Sequence, residues 1–298
     1  MLPGSVKIVE VGPRDGLQNE SIFVATPVKV ALIERLAAAG CRHIETTSFV
    51  SPQKIPQLAD AAEVIRTIRR APGVVYSALT PNLKGFDDAR AAGADEVAVF
   101  AAASETFSQK NINCSIDESL KRFEPVVGAA KRAGVRTRAY VSCALGCPYE
   151  GDIAPAAVVR VSIRLMNMGC YEISLGDTIG VGTPLAVKRM IGAVAQDIPL
   201  KNLAGHFHDT YGMAAANVWA ALEMGVAIFD ASVGGLGGCP YAPGATGNLA
   251  TEDLAWLMRG SGVETGLDLR KLVDCANWIS RVLGREPASR VARALKKS

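Results

Sequence analysis

Short apolar or β-branched stretches alternate along the chain with longer stretches in which apolar residues recur every three or four positions. The first pattern predicts β-strands, and the second predicts amphipathic helices that bury one face. Eight segments carry the strand pattern, at intervals of roughly 30 residues. They are VKIVEV (6–11), HIETTSF (43–49), VVYSAL (74–79), EVAVFAA (96–102), RTRAYVSCA (136–144), EISLGD (172–177), LAGHFHD (203–209) and IFDASVGG (228–235).

Glycine and proline mark the ends of the predicted helices. The segment PVKVALIERLAAAG begins with Pro27, which suits the first turn of a helix, and ends at Gly40. The endings RAAG, KRAG and MNMG also place a glycine just past a helix, where a left-handed residue ends the helix at little cost.

Eight repeated strand–helix units predict an α/β fold of the (β/α)8 TIM barrel type rather than an open doubly wound sheet. We expect the barrel at about 6–262 and a short C-terminal helical extension at about 263–298, together forming a single domain over residues 1–298. The segment LDLRKLVDCANWISRVLG predicts one amphipathic helix in that extension, packed outside the barrel.

Composition narrows the classes of partner. The chain has 298 residues, 49% of them hydrophobic, which is enough to bury a large core. Its net charge of +3 arises from 32 basic and 29 acidic residues that are spread along the sequence. Because no basic cluster is longer than the LKKS tail, nucleic-acid binding is not expected. No apolar run approaches the roughly 20 residues that cross a bilayer, so no membrane span is expected either.

Cysteine content bears on the compartment. Seven cysteines are present, an odd number, and they lack the paired CxxC spacing of a zinc site. The start MLPGSVKIVEVG has no basic segment followed by an apolar one, as a secretory signal would have. We therefore expect a reduced, cytoplasmic protein, and a mitochondrial matrix protein only if a transit peptide has been removed.

Several polar residues that could carry chemistry lie at the carboxyl ends of the predicted strands. Active sites of TIM barrels gather at that end, because the loops that follow the strands meet there. Residues distant in sequence are thus expected to converge on one rim. They are Arg14, Asp15, Glu45, Asp177, His206 and His208.

The pair His206 and His208 predicts a metal site. Residues two apart on a strand point to the same side, so both imidazoles can bind one ion. The chain has only three histidines, which favours a metal site over a chance pair. Asp15 would add a carboxylate and Asn248 an amide oxygen. Such a mixed set suits Mg²⁺ or Mn²⁺, although imidazole also binds Zn²⁺ and Co²⁺.

Cys239 lies in the glycine-rich segment SVGGLGGCPYAPGATGNLATED (232–253). Glycines let a backbone approach a ligand closely and let a loop open and close. Two interpretations remain open on this basis. Cys239 is either a catalytic cysteine on a mobile loop or a small buried side chain in a tight turn.

Six motifs together resemble the 3-hydroxy-3-methylglutaryl-CoA lyase family over about residues 8–253: EVGPRDGLQNE, IETTSFVSP, YVSCALGCPYEG, SLGDTIGVGTP, HFHDTYG and GLGGCPYAPGATGNLATED. The RDG turn and the HxH strand alone are similar to a wider superfamily of metal-dependent barrels. That superfamily includes isopropylmalate and homocitrate synthases and the carboxyltransferase domains of biotin enzymes. The GGCPYAPGATGN segment narrows the resemblance to the lyases.

The resemblance implies cleavage of 3-hydroxy-3-methylglutaryl-CoA into acetyl-CoA and acetoacetate, a step of leucine breakdown and ketone-body formation. It implies an acyl-CoA substrate, a divalent cation, usually Mg²⁺ or Mn²⁺, and a homodimer. Cys239 becomes the functional cysteine of a mobile loop, and Asn111 a contact on the substrate side. The metal ligands implied are Asp15, His206, His208 and Asn248, and the other site residues implied are Arg14, Glu45 and Asp177.

The chemistry of a retro-Claisen cleavage assigns hypothetical roles to these residues. The cation acidifies the tertiary hydroxyl, and Asp177 is the candidate base for its proton. Arg14 is always cationic and would stabilise the enolate of the thioester. Either His206 or Cys239 would give the final proton to acetyl-CoA. Glu45 would orient its neighbours rather than transfer a proton.

Two other functions remain open at this stage. A condensing enzyme would run the reverse chemistry, joining acetyl-CoA to a 2-oxo acid on the same metal scaffold. A barrel could also bind an acyl-CoA or a metal ion without catalysis, although pure binding does not require an arginine, metal ligands and a cysteine on one rim.

Overall fold

A closed barrel of parallel strands organises the computed structural model, which describes residues 2–238 and 247–296. Within those residues, eight strands follow one another in chain order around the barrel, and the last pairs with the first. The predicted TIM barrel is therefore confirmed. The strands are β1 (Lys7–Glu10), β2 (His43–Ser48), β3 (Val75–Leu79), β4 (Glu96–Ala102), β5 (Arg136–Ser142), β6 (Glu172–Asp177), β7 (Leu203–Phe207) and β8 (Ile228–Ala231).

The last strand is shorter than the sequence predicts. Residues 228–235 were expected to be extended, but β8 ends at Ala231 and a short 3-10 turn follows at Val233–Gly235. Gly234 and Gly235 adopt φ values of 67° and 66°, in the left-handed region that favours glycine. The chain therefore turns at this point instead of continuing the strand.

Helices cover the outside of the barrel, and residues marked in the sequence set several of their ends. The first helix has Pro27 in its first turn, and Gly40 follows it with a φ of 98°. The helices are α1 (Thr26–Ala38), α2 (Ala61–Thr67), α3 (Leu83–Ala92), α4 (Glu105–Ile112), α5 (Ile116–Arg132), α6 (Pro155–Met168), α7 (Pro184–Val194), α8 (Ala214–Glu223), α9 (Thr251–Gly260), α10 (Leu269–Val282) and α11 (Arg290–Ala294).

The barrel wall is apolar on its outer side and carries charges on its inner side. Val97, Val141 and Leu175 belong to the large apolar cluster that joins strands to the surrounding helices. Arg138 of β5 pairs with Asp230 of β8, and because these strands are not neighbours the contact crosses the interior. The interior is thus able to hold polar groups beneath the rim where the strands end.

Within residues 263–296, the structure has two helices rather than the single one expected. The predicted amphipathic helix is α10, which packs on α1 and α9, while the short α11 packs on α9 and α10. α11 has only five residues, too few to show a helical period in the sequence. No helix in residues 2–238 or 247–296 is long and apolar enough to cross a membrane.

Candidate active site

A tight turn after β1 presents Arg14 and Asp15. The segment Gly12–Gly16 forms one π-helical turn, with backbone N–H groups of Arg14 and Gly16 both bonded to the carbonyl of Val11. A Cβ on Gly12 would meet the Glu10 carboxylate at 2.6 Å, and one on Gly16 would meet Leu236 at 2.8 Å. The loop that follows β8 therefore restricts position 16, and the Glu10 carboxylate of β1 restricts position 12.

Arg14 is buried and held by three neighbours. Its Nη1 donates to Asp15 Oδ1 at 2.6 Å, its Nε donates to Glu45, and its guanidinium lies 5.3 Å from the centre of the Tyr140 ring. Glu45 also accepts a hydrogen bond of 2.9 Å from the Tyr140 hydroxyl. Burial would lower the pKa of Arg14, but the carboxylates of Glu45 and Asp15 raise it above its usual value. Arg14 is therefore a cation in a fixed position, and its contact with Glu45 sets its orientation.

Asp15, His206 and His208 converge as the sequence predicts. Their candidate ligand atoms all lie within 4.8 Å of one another. The Nε2 atoms of the two histidines are 3.3 Å apart, and His206 Nε2 lies 4.0 Å from Asp15 Oδ2. This cluster is a possible metal site.

Asn248 reaches the same place because the chain returns beside the end of β7. The backbone N–H of Asp209 donates to Gly247 at 3.1 Å, and that of Leu249 donates to Phe207 at 3.0 Å, so His208 and Asn248 form a β-bridge. The Asn248 side chain is buried, and its amide contacts Asp15 Oδ2 at 2.8 Å. All four predicted ligands therefore lie together.

The protonation of these groups suits a cation. Burial and the neighbouring His206 lower the pKa of His208 to about 4, which leaves its imidazole neutral with a lone pair at neutral pH. Burial alone would raise the pKa of Asp15, but Arg14 and the two histidines hold it at about 2. An ionised carboxylate and a neutral imidazole are donors that bind a divalent ion. The residues present fit the cation that the resemblance implies.

Asp230, which was not among the site residues predicted from the sequence, lies behind His206. Its Oδ2 is 3.1 Å from His206 Nδ1 and accepts a bond of 2.7 Å from the Ser174 hydroxyl. Burial alone would raise the pKa of Asp230, but the Arg138 guanidinium and His206 hold it well below its usual range. A charged residue inside the otherwise apolar strand IFDA was the available sign, because buried parallel strands are normally apolar throughout.

Asp177 lies at the end of β6, where the sequence predicts it, but its carboxylate faces the loop that follows. Oδ1 accepts from the N–H of Val181 at 3.1 Å and Oδ2 from that of Gly182 at 2.9 Å. Burial raises the pKa of Asp177 to about 6 despite these two bonds. Its neighbours Gly176 and Thr178 line the cavity described below, and Asp177 is not among the lining residues identified in the described chain.

A cavity of about 710 Å³ opens above this cluster, within the usual size of a small-molecule site. Arg14, Asp15, His206 and His208 line it, as does the predicted substrate contact Asn111. Cations that sequence spacing did not single out also line it, namely Lys54, Lys110 and Arg122. Cys239 lies outside the described residues, although Gly238 before it lines the cavity.

Comparison with known proteins gives a consistent family. The HMGL-like family profile matches residues 5–279. A mitochondrial hydroxymethylglutaryl-CoA lyase of Pongo abelii is 60% identical over 98% of this chain and 90% of its own length. A Pseudomonas aeruginosa protein named 3-hydroxy-3-isohexenylglutaryl-CoA/hydroxy-methylglutaryl-CoA lyase is 58% identical over 99% of this chain and 98% of its own.

Solved structures agree with this assignment. The crystal structure of hydroxymethylglutaryl-CoA lyase from Pseudomonas aeruginosa superposes with a TM-score of 0.97 at 58% identity, covering 99% of this chain and 98% of its own. The carboxyl transferase domain of Rhizobium etli pyruvate carboxylase, at 20% identity and a TM-score of 0.69, covers 97% of this chain and 50% of its own and shares the fold alone. The chain therefore belongs to the HMGL-like family, as its motifs predict, and its relatives at 60% and 58% identity are hydroxymethylglutaryl-CoA lyases.

Proposed function

We propose that this protein is a carbon–carbon lyase that cleaves 3-hydroxy-3-methylglutaryl-CoA to acetyl-CoA and acetoacetate. The observation that carries the proposal is that one cavity holds Arg14 beside Asp15, His206 and His208. The full-length identity to hydroxymethylglutaryl-CoA lyases supports the choice of substrate. In this reaction the tertiary hydroxyl loses its proton and its carbon becomes the ketone of acetoacetate. The broken bond leaves its electron pair on the thioester fragment, which then takes up a proton.

The proposed holders of the cation are Asp15, His206, His208 and Asn248. The mixed nitrogen and oxygen donors favour Mg²⁺ or Mn²⁺. When bound, such a cation supplies a Lewis acid that lowers the pKa of the substrate hydroxyl and fixes its orientation. The protein prepares the donors for that task by keeping His208 neutral and Asp15 ionised.

Arg14 is the proposed stabiliser of the enolate. Its guanidinium lines the cavity and is held by Glu45 and Asp15, so it need not reorganise when negative charge develops on the thioester oxygen. A preorganised donor of this kind contributes about 3–4 kcal/mol to the transition state. Glu45 acts through Arg14 and is proposed as a positioning residue.

The two proton transfers have different candidates. Asp177 stays the predicted base, since burial raises its pKa to about 6, but its carboxylate faces the loop that follows β6, so this role requires it to turn toward the cavity. His206 faces Asp230 with Nδ1 and the cluster of Asp15 and His208 with Nε2. A His206 that binds the cation through Nε2 has no ring nitrogen left for the substrate, which favours Cys239 as the final proton donor.

The cations at the cavity suit the anionic part of coenzyme A. Three cations line the cavity: Lys54, Lys110 and Arg122. The first lies on the segment that follows β2, and the other two lie on the helices that follow β4. We propose that they attract the phosphate groups of the substrate. An Acinetobacter baumannii HMG-CoA lyase whose structure was solved with coenzyme A and 3-methylmalate is 38% identical, with a TM-score of 0.94 over 99% of this chain and 96% of its own.

The expectations from the sequence about oligomeric state, domain organisation, pathway and location stay predictions. We propose a homodimer, a single catalytic domain and a place in leucine breakdown and ketone-body formation. A cytoplasmic location is also proposed, while the relative from Pongo abelii is named as mitochondrial.

One assay separates the three functions that the sequence left open. The purified protein is incubated with Mg²⁺ and 3-hydroxy-3-methylglutaryl-CoA, and acetoacetate and acetyl-CoA are both measured. Equal amounts of the two products are expected. Condensation of acetyl-CoA with a 2-oxo acid in place of cleavage would support a synthase, and binding of the thioester without either product would support a non-catalytic barrel.

A further inference from the structure

Asp230 occupies a position in the barrel that the proposed chemistry does not use. The residue is buried at the centre of β8, and its two oxygens together accept from Arg138, Ser174 and His206. Of the two carboxylate oxygens, Oδ2 is the one that contacts the Ser174 hydroxyl at 2.7 Å and His206 Nδ1 at 3.1 Å. It belongs to none of the candidate metal donors and does not line the cavity.

A fixed charge environment surrounds this carboxylate. Arg138 donates to Asp230 through two nitrogens, at 2.6 and 3.2 Å, and through Nε to Glu172 at 2.6 Å. Lys7 pairs with the second oxygen of Glu172. The charges of two carboxylates and two cations thus balance one another inside the barrel, so Asp230 is held as an anion. Its hydrogen bonds to Arg138 of β5 and Ser174 of β6 restrict its rotation.

An anionic Asp230 determines which ring nitrogen of His206 carries a proton. A carboxylate can only accept, so the 3.1 Å contact requires a proton on Nδ1. In the neutral ring Nε2 is then left with its lone pair, and Nε2 is the atom that faces His208 Nε2 at 3.3 Å and Asp15 at 4.0 Å. The contact therefore fixes both the tautomer and the plane of the imidazole.

We propose that Asp230 is a positioning residue which holds the Nε2 lone pair of His206 toward Asp15 and His208, and thereby sets the affinity of this site for a divalent cation. The inference rests on the metal site of the proposed function. It extends that function to a residue that touches neither the substrate nor the cation, and it depends on the outward hydrogen bond that commonly orients a metal-binding histidine.

The test measures Mn²⁺ binding by calorimetry on chelator-treated protein without substrate. Asp230→Asn is expected to weaken binding by about 10- to 100-fold. The matched control is Glu172→Gln, which also removes one carboxylate partner of Arg138 but leaves the contact between His206 and Asp230 intact. Its Mn²⁺ affinity is expected to equal that of the unchanged protein, and thermal unfolding of both metal-free variants compares their stability.

The outcomes separate this inference from the proposed function. If the unchanged protein binds Mn²⁺ and Asp230→Asn binds it equally, the positioning role is wrong while the metal site stands. An equal loss of affinity in both variants would assign the effect to the core ion pairs and overturn the inference. Failure of the unchanged protein to bind any Mn²⁺ would overturn the inference together with the proposed metal site, and the cleavage assay would then decide the proposed function separately.

A second measurement needs no variant. The chain has only three histidines, so nitrogen NMR of the metal-free protein can resolve each ring and report which nitrogen is protonated. The neutral ring of His206 is expected to carry its proton on Nδ1. A proton on Nε2 would contradict the proposed role even if Asp230→Asn does not fold.

Discussion

The Tyr140 hydroxyl donates a hydrogen bond of 2.9 Å to Glu45 across the interior of the barrel, from β5 to β2. Glu45 uses its other oxygen to hold Arg14. The orientation of the candidate enolate stabiliser therefore depends on a side chain from the opposite part of the barrel wall.

Tyr140→Phe tests that dependence. The substitution leaves a buried acceptor on Glu45 without its partner, which is expected to cost about 1–3 kcal/mol of stability. Because Arg14 is then held less firmly, kcat should fall while KM changes little. The control is Tyr76→Phe, which removes a buried hydroxyl that accepts from the Ala71 N–H and does not line the cavity. Equal effects of both variants on kcat would remove Glu45 from the orientation of Arg14.

Arg14→Gln is expected to lower kcat by about 100- to 1,000-fold, because a preorganised cation no longer meets the enolate. Metal binding should survive, since the donors Asp15, His206 and His208 remain. Steady-state kinetics and calorimetry with Mn²⁺ measure the two effects. Arg69→Gln, which removes an exposed arginine paired with Glu34, is the control and should retain full activity. Near-normal turnover of Arg14→Gln would exclude Arg14 from the mechanism.

Binding of the coenzyme A portion is tested on one helix. Arg122 and Lys121 are neighbours on α5, and only Arg122 of the two lines the cavity. Arg122→Ala is expected to raise KM. The rise should be smaller at high salt, because salt already screens the attraction between Arg122 and the phosphates in the unchanged protein. Lys121→Ala removes the same charge and should leave KM unchanged. Equal KM values for the two variants would place the phosphates elsewhere.

The stability of the fold should depend on pH through Glu10. Burial raises the pKa of this carboxyl from its usual 4.5 to about 7, so the folded protein keeps a proton that the unfolded chain releases between these values. The stability contributed by Glu10 is thus fully present below about pH 4.5 and is lost as the pH rises toward about 7.

Glu10→Gln checks this sign, because an amide cannot titrate and can still accept from the N–H groups of Gly12 and Val233. Urea unfolding at a series of pH values should show the unchanged protein losing stability relative to the variant, by up to about 1.4 kcal/mol per pH unit. Glu252, whose pKa burial raises to about 8, titrates in both proteins, and because a charged Glu10 adds to that rise, the difference between the two proteins includes this coupling. Parallel curves would show that Glu10 is ionised in the fold.

Cys239→Ala is expected to reduce kcat strongly with a modest change in KM and an unaltered thermal unfolding temperature. The motif in the sequence supports this expectation, as do the contact of His206 Nδ1 with Asp230 and the proposed use of its Nε2 for the cation. Unchanged turnover would return Cys239 to a packing role and leave His206 as the remaining donor.

The sequence could predict the barrel from its eight repeated strand–helix units, and the convergence of Asp15, His206 and His208 from their positions at the strand ends. Asn248 was predicted as a ligand as well, but its position depends on the chain returning to pair with His208. The sequence could not predict that Arg138 contacts Asp230 or that Tyr140 contacts Glu45. These partners are 92 and 95 residues apart, and their pairing depends on which strands face each other across the closed barrel. The five-residue helix α11 escaped for a different reason, since it is shorter than the pattern that would reveal it.

The candidate cation donors come from the beginning and from the end of the barrel sequence. Asp15 follows the first strand, the histidines lie on or directly after the seventh, and Asn248 stands beyond the eighth, where the chain comes back to pair with His208. A cation can meet all four only after β8 has paired with β1. Cation binding should therefore occur late in refolding and should stabilise the pairing of β8 with β1. Uptake of the cation would then report closure of the barrel.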